Sequence, residues 1–251
     1  MKHLISFMVI IAMMTSCIST KEYRNKMKMA KATQRQGEAL LAQGNYTGAL
    51  SKLLEAQKAL KKDPELYNSL GLAYMGKDRD SLAIAAFETA LELKPDYTEA
   101  LNNKGVILLR TKEWDKAIET FNIVLEDILY PTPHYPLSNL GWAYLRKMDI
   151  PTAESYFLKA LDSMPWFVTA SHGLTQLYLM TSRPEKAMRY LKNCLKRKPN
   201  AAILYADMAR ALEMKGEIQK ARTFWMRALD LSPPYSSLAK EAEAELSKTD
   251  S

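Results

Sequence analysis

The sequence is poor in the residues from which metal sites and nucleophilic active sites are built. Its 251 residues include two cysteines and three histidines, and the histidines (His3, His134 and His172) are far apart in the chain. This spacing gives no cluster of metal ligands. The nine glycines form no phosphate-binding loop, and no His-Glu-x-x-His or Gly-x-Ser-x-Gly motif occurs. We therefore expect no enzyme activity, no metal or cofactor, and no small-molecule substrate.

A segregated block of charge is also missing from most of the chain. The formal net charge is +7, and acidic residues are interleaved with basic ones. Proteins that bind nucleic acid usually present a basic stripe with interleaved aromatic residues, so we expect no nucleic-acid partner. One concentrated basic run follows the N-terminal apolar segment: Lys21, Arg24, Lys26, Lys28, Lys31 and Arg35.

The longest apolar run, Leu4–Met14, is too short to span a membrane, which takes about 20 apolar residues. Lys2 before it and two small residues after it are typical of a signal peptide over residues 1–16. Two interpretations of the following Cys17 are open. The signal is an ordinary secretory one and the cysteine is incidental, or the cysteine is a site of lipid attachment.

The segment Met14-Thr15-Ser16-Cys17 resembles the lipobox of bacterial lipoproteins. The resemblance implies a diacylglyceryl group on the Cys17 sulfur, and cleavage that makes Cys17 the acylated N-terminus. Several acyl chains together with a basic segment would anchor the protein stably. Ile18, in place of the Asp that commonly retains lipoproteins in the inner membrane, implies the periplasmic face of the outer membrane. Residues 17–29 are then an acylated N-terminus and polar tether, or alternatively a solvated extension of the first helix.

Residues 64–97 carry a pattern that predicts two packed antiparallel helices. An aromatic residue is followed by Leu70-Gly71, and later by two alanines seven residues apart and a proline. Gly71 and the alanines allow the helices to approach closely, and Pro95 ends the second helix. This is the tetratricopeptide-repeat signature with its 34-residue period. The residues that define it are Tyr67, Leu70, Gly71, Tyr74, Ala83, Phe87, Ala90 and Pro95.

The same pattern occurs six times, and it predicts an all-helical solenoid of helix-turn-helix repeats. The pivot alanines of the second helices are separated by 34, 34, 36, 34 and 34 residues. They are Ala49, Ala83, Ala117, Ala153, Ala187 and Ala221. The predicted repeats cover about 30–63, 64–97, 98–133, 134–167, 168–201 and 202–235, within a repeat domain of 30–235.

Three local features modify this pattern. The second helix of the first repeat is expected to run on through Leu60-Lys61-Lys62, before Pro64. The segment Leu129–Pro136 contains three prolines and predicts a bent, extended connection after the third repeat. Residues 236–251 predict a polar capping helix and tail, with a serine as its N-cap. Cys194 stands where other repeats have Ala or Val, which indicates a small buried side chain rather than a reactive thiol.

The tetratricopeptide resemblance implies that the first helix of each repeat lines a concave, peptide-binding surface. Asparagine amides there would bond a ligand's backbone, and Leu, Met and Trp would hold its side chains. Core packing is an equal alternative for Trp142. Towards the C-terminus the implied positions become more polar and include His172, Gln176, Arg210 and Glu213. The predicted groove residues are Asn68, Leu72, Met75, Asn102, Val106, Leu109, Arg110, Tyr135, Trp142, Leu145 and Arg146.

A lipobox, six such repeats and a proline-rich break after the third resemble the pilotin lipoproteins of type IV pili, of the PilF, PilW and Tgl types. The stretch from Tyr130 to Tyr144 is most similar to the Tgl branch. The resemblance implies a lipoprotein that brings secretin subunits to the outer membrane and supports their assembly into multimers. Another envelope lipoprotein adaptor, such as a scaffold for peptidoglycan enzymes or an outer-membrane assembly factor, is the alternative.

We predict that Cys17 is the acylated N-terminus of the mature protein. Replacing it by Cys17→Ser should leave an uncleaved or soluble protein, because the sulfur that receives the lipid is gone. Intact-mass analysis of protein extracted from membranes checks this. A mature N-terminus elsewhere in the chain, without acyl chains, would refute the prediction.

Overall fold

The computed structural model describes the backbone of residues 2–248 and the side chains of residues 20–248. The Cys17 side chain and residues 249–251 of the predicted tail lie outside the described residues. All regular secondary structure of the described backbone is helical, which confirms the predicted fold class of a tetratricopeptide-repeat solenoid. The helices are α1 (Lys2–Ala42), α2 (Tyr46–Gln57), α3 (Pro64–Gly76), α4 (Asp80–Leu93), α5 (Thr98–Arg110), α6 (Trp114–Glu126), α7 (His134–Arg146), α8 (Ile150–Ser163), α9 (Val168–Met180), α10 (Pro184–Arg197), α11 (Ala202–Met214), α12 (Ile218–Leu231) and α13 (Ser237–Lys248).

The chain divides into two compact units, Met1–Ile107 and Leu108–Ser251. In the N-terminal unit, α1 packs against α2 and α3 against α4. Helix α1 includes residues 18–29, so the backbone there is helical, as in the second of the two interpretations of that segment. In the C-terminal unit the helix pairs α7–α8, α9–α10 and α11–α12 follow one another, and α13 packs on α12.

The repeat positions of the second helices form the core of each unit. The six pivot alanines, the six large apolar residues four positions later and the six small residues after those are each no more than 1% exposed. Cys194 is one of these small residues and is fully buried, and its burial raises the pKa of the thiol. The large residues are Leu53, Phe87, Phe121, Phe157, Leu191 and Trp225.

Glycines in the first helices make room for these large side chains. A Cβ at Gly71 would lie 2.3 Å from Cε1 of Phe87. Phe157 lies between two glycines, because a Cβ at Gly141 or at Gly173 would come within 2.6 Å or 2.4 Å of its ring. Since Gly173 belongs to the following repeat, the same ring sets the spacing within one repeat and between two.

Each turn between the paired helices contains one residue in the left-handed region, with φ between 54° and 75°. Each turn also closes with a backbone hydrogen bond of 2.7–3.0 Å that the residue directly after that position donates back to the first helix. In the second repeat, for example, the Arg79 N–H donates to the Tyr74 carbonyl. This is the arrangement of a Schellman C-cap. The left-handed residues are Gly44, Asp78, Lys112, Met148, Ser182 and Gly216.

Two connections differ from the expectation. Helix α2 ends at Gln57 and does not run on through Leu60. The Leu60 N–H still bonds the Ala56 carbonyl, but the chain turns there and buries the leucine side chain to 2% exposure. The proline-rich connection ends at Pro133, because α7 begins at His134, and Pro136 lies in the first turn of that helix, where a proline is tolerated.

The capping helix α13 begins as the sequence indicates. The Ser236 hydroxyl accepts a hydrogen bond from the Ala239 N–H at 3.2 Å, which is an N-cap interaction. Ala242 is buried, and Leu238 and Leu246 pack against the core formed by the last repeat. The apolar face predicted for this helix is therefore the one it buries.

Replacing Gly71 by alanine should lower the free energy of unfolding. Alanine is the better helix former by about 1 kcal/mol, but its Cβ would clash with a fully buried ring, and overpacking typically costs about 1–3 kcal/mol. Urea unfolding followed by circular dichroism measures the difference. Phe87→Leu is the matched background, because the fifth repeat combines Thr175 at the glycine position with Leu191 at the aromatic one.

The two substitutions should therefore be coupled, with Gly71→Ala costing less in the Phe87→Leu protein than in the original one. Equal costs in both backgrounds would show that the ring does not require glycine at this position.

Candidate peptide-binding groove

In the C-terminal unit, two cavities of about 520 and 480 Å³ open on the face formed by the first helices of the repeats. Trp142 and Arg146, both on α7, line both cavities. The larger cavity is also lined by Leu145, Met148, His172, Gln176, Met180, Ile203, Arg210 and Glu241. The smaller is also lined by Leu109, Arg110, Lys112 and Trp114.

Trp142 serves both the core and the cavities. Its ring meets the buried Phe157 ring edge-on, with 5.6 Å between centroids and an interplanar angle of 84°. The His172 ring lies at the same distance, and the Arg146 guanidinium lies 5.6 Å from the indole centroid, within the range of a cation–π contact. The indole is therefore held in place by the core while one side faces the cavities. The two interpretations of Trp142, core residue and groove residue, both apply.

A buried carboxylate organises the far wall of the larger cavity. Asp207 is fully buried, and its oxygens lie 2.7 Å from His172 Nδ1, 3.2 Å from Gln176 Nε2 and 2.7 Å from Arg210 Nη1. A carboxylate away from water is tolerated only when it is paired and hydrogen-bonded, as it is here. Because His172 and Gln176 are on α9 and Arg210 is on α11, the network fixes these side chains relative to one another.

The polar residues predicted near the C-terminal end are also engaged within the protein. Arg210 donates to both carboxylate oxygens of Glu241 on α13, at 2.7 and 2.8 Å from Nη2. Its guanidinium lies 5.4 Å from the ring centroid of the buried Trp225, whose indole N–H donates to Glu213 at 2.6 Å. Charge at this end is thus used to hold α11, α12 and α13 together. Arg146, in contrast, is exposed, and its guanidinium lies over the Trp142 ring.

In the N-terminal unit, the corresponding face of α3 and α5 carries amide groups. Asn68 Oδ1 accepts a hydrogen bond from Asn103 Nδ2 at 3.0 Å, and the Tyr97 hydroxyl also interacts with Asn68. Burial and nearby carboxylates raise the pKa of Tyr97 to about 12, so it remains a neutral donor. Asn102 is 8% exposed, and its Oδ1 has no hydrogen-bond partner among the described residues. An amide in this state gains a hydrogen bond when a donor reaches it.

The structure thus brings together five of the predicted groove residues around the two cavities: Leu109, Arg110, Trp142, Leu145 and Arg146. In the N-terminal unit, Leu72 and Met75 are half-buried against the core around Phe87, and Asn68, Asn102 and Val106 lie on α3 and α5. Tyr135 belongs to an aromatic cluster at the start of α7, with its ring 5.1 Å from Phe167 and 4.5 Å from His134.

Two acidic residues that shape the larger cavity were not predicted. In the sequence, Asp207 is not distinguishable from other polar residues of a helix. Glu241 belongs to the capping helix, which lies outside the repeat pattern. The signal in the sequence was the group of chargeable residues at the same end, His172, Arg210 and Glu213, because buried charges require partners.

The described residues contain no group of three or more His, Cys, Asp or Glu placed to hold a metal ion. The helices among them also include none with the length and apolar character needed to cross a membrane.

Comparison with known proteins agrees with this geometry. A model of the tetratricopeptide repeat family matches residues 35–98 and 68–132. The tetratricopeptide repeat domain-containing protein PYG7 of Arabidopsis thaliana chloroplasts is 33% identical over 116 residues. These residues cover 43% of this chain and 38% of PYG7. The chain thus spans well under half the length of this curated relative.

Two solved structures are similar over nearly their whole length. One is PilW, described as a widely conserved type IV pilus biogenesis factor, with a TM-score of 0.74 at 22% identity over 89% of this chain and 99% of PilW. The other is PilF of Pseudomonas aeruginosa, with a TM-score of 0.69 at 20% identity over 88% of this chain and 99% of PilF. At these identities the likeness establishes a common tetratricopeptide-repeat fold.

The stability of the C-terminal unit should depend on pH through His134. This side chain is buried to 5% exposure, its ring lies edge-on 4.8 Å from Phe167, and burial lowers its pKa from the ordinary value of 6.5. The unfolded chain therefore binds a proton at a higher pH than the folded one. Hence the free energy of unfolding falls as the pH drops below about 6.5, and the loss is complete below the lowered folded pKa.

His134→Phe keeps an aromatic ring and removes the titration, so it should flatten this part of the pH dependence. Urea unfolding at several values between about pH 7.5 and 5 measures it. Carboxylates titrate in both proteins, and the difference between the two curves isolates the histidine. Parallel curves would contradict the assignment.

Proposed function

We propose that this chain is a lipid-anchored scaffold for type IV pilus biogenesis, which binds the secretin and supports its localisation and multimer assembly. Its anchor is acylated Cys17 at the periplasmic face of the outer membrane. The fold and its likeness to PilW and PilF over almost their full length support a protein-binding role in pilus biogenesis. The lipobox-like segment before Cys17 supports the anchor.

The binding surface is the groove around Trp142 and Arg146, and the contact between these two residues is the observation that carries this assignment. An aromatic ring fixed from behind by Phe157 supplies an apolar anchoring surface at low entropic cost. The exposed guanidinium beside it supplies a charge that can bond a carboxylate or a backbone carbonyl. The two cavities on either side offer room for neighbouring side chains of an extended segment.

The network around Asp207 makes this surface rigid. His172, Gln176 and Arg210 all bond the same buried carboxylate, so the far wall of the larger cavity is formed before a ligand arrives. A preformed surface loses less conformational entropy on binding than a flexible one. The ligand is thus a segment of the secretin that lies along the first helices of the C-terminal unit.

Trp142→Ala and Arg146→Glu should each weaken binding of the purified periplasmic part of the secretin by more than about 1 kcal/mol, roughly fivefold or more. Lys159→Glu is the matched control, because Lys159 is an exposed cation 5.0 Å from the Tyr156 ring on α8, outside both cavities. Isothermal titration calorimetry measures the affinity, and circular dichroism verifies the fold of each variant.

In cells, the amount of secretin multimer in the outer membrane should fall with affinity, and it should not change for Lys159→Glu. If all three variants bind alike, the groove is assigned wrongly. If the unmodified protein binds no secretin and co-purifies instead with peptidoglycan enzymes or outer-membrane assembly factors, the pilus assignment itself is wrong.

A further inference from the structure

A further cavity of the C-terminal unit lies away from the groove around Trp142. It is a channel of about 1030 Å³ between α10 and α12, with α11 as its floor. Helix α11 separates the two sites, because its residues Ile203 and Arg210 line the groove, whereas Tyr205 and Leu212 line the channel. At 100° per residue these two pairs lie on opposite sides of the helix. The channel is therefore separate from the groove to which the proposed function is assigned.

The floor of the channel is apolar. Met208 and Leu212 are buried. The other apolar side chains are half-buried and pack on the core of the last repeat. Along α10 the lining begins at Glu185 and ends at Lys196, which corresponds to about three helical turns or 17 Å. A channel of this volume lies at the upper end of the range for small-molecule sites, and its length suits an extended or helical segment. Its half-buried apolar residues are Met188, Leu195, Tyr205 and Phe224.

The rim of the channel carries an excess of positive charge. Five basic and two acidic side chains line it. The acidic ones, Glu185 and Glu217, form ion pairs with Lys215 at 3.7 and 3.1 Å, and Glu217 also pairs with Lys220 at 2.6 Å. These pairs leave the cations of α10 unbalanced.

On α10, Lys192 and Lys196 are exposed and form no ion pair with any residue in the part of the chain that the structure describes. Arg189 lies over the ring of Tyr190, at 5.5 Å, and no carboxylate neutralises it among the described side chains. The three cations follow one another at intervals of three and four residues, so they form a row along one side of α10. An apolar channel flanked by such a row matches a helix with an apolar face and a row of carboxylates beside it.

We propose that the channel between α10 and α12 binds an amphipathic helix of a partner protein, with its apolar face on Met188 and Phe224 and its acidic edge along Arg189, Lys192 and Lys196. Charge complementarity selects this partner. Burial of leucine-type side chains on the floor supplies most of the binding free energy, and the row of cations sets the orientation and the association rate. The protein then holds two partners, one on each face of its C-terminal unit.

The test uses a fluorescein-labelled synthetic peptide of about 16 residues, a length sufficient for a helix of three turns with its ends. Leucine occupies every third or fourth position, and glutamate flanks the leucine face. A second peptide has lysine in place of each glutamate. Fluorescence anisotropy with the whole protein should give at least tenfold tighter binding for the acidic peptide, and this difference should shrink between about 50 and 500 mM salt.

Lys192→Glu/Lys196→Glu should weaken binding of the acidic peptide at least tenfold, and Met188→Gln should weaken binding of both peptides. The matched control is Arg24→Glu/Lys28→Glu, which makes the same charge change at exposed positions one turn apart on α1 and should have no effect. Lys192→Gln/Lys196→Gln, verified by circular dichroism, gives a second measurement if the reversed charges disturb folding. Its effect should have the same direction and a smaller size.

Any one of four results would overturn the proposal. In the first, the two peptides bind equally well. In the second, the α10 and α1 charge variants bind the acidic peptide equally well. Vesicles of phosphatidylglycerol, and not the acidic peptide, require Lys192 and Lys196, in which case the surface faces a membrane. Sedimentation shows a dimer that Lys192→Glu/Lys196→Glu dissociates, in which case a second copy of the chain occupies the channel.

Discussion

The structure depends on the close approach of paired helices over a single large side chain. Phe157 illustrates the constraint, since glycine faces its ring from its own repeat and from the next one. A ring that is buried between backbones sets the distance between three helices at once, and a well-packed interior cannot adjust that distance without loss of contacts. The spacing of successive repeats in the C-terminal unit therefore follows from side-chain volumes at a few positions, and the rest of each helix is free to vary.

This freedom allows the two faces of the C-terminal unit to differ in chemistry. One side of each helix packs into the core. The exposed sides of the first helices form one face of the unit, and those of the second helices form the other. Helix α11 contributes to both, with Arg210 towards the groove and Tyr205 towards the channel between α10 and α12. On the groove face, charged side chains such as Asp207 and Arg210 form ion pairs within the protein. On α10, the charged side chains of Lys192 and Lys196 are exposed and available to a partner.

The fold was predictable from the sequence because packing positions recur at a fixed period. Each pivot alanine and its neighbours had a predicted environment, and all are buried. The turns were less predictable, since four of the six left-handed positions are held by residues other than glycine, including Lys112 and Met148, which ordinarily avoid that region. The Schellman hydrogen bonds and the packing on either side impose the conformation. Likewise Leu60 ends α2 early because burying one leucine outweighs continuing the helix.

The groove was predictable only in outline, for a physical reason. A repeat pattern says which side of a helix faces the groove, but not whether a side chain there is free or already bonded to a neighbour. Asn68 is bonded to Asn103 and Arg210 to Glu241, through contacts between residues 35 and 31 positions apart. Arg210 also bonds Asp207, three positions before it on the same helix. Arg146 differs from these residues because its guanidinium lies over an aromatic ring, which leaves its hydrogen-bonding edge open to a ligand. The proposed binding surface is therefore centred on the position where an exposed charge lies on a rigid apolar surface.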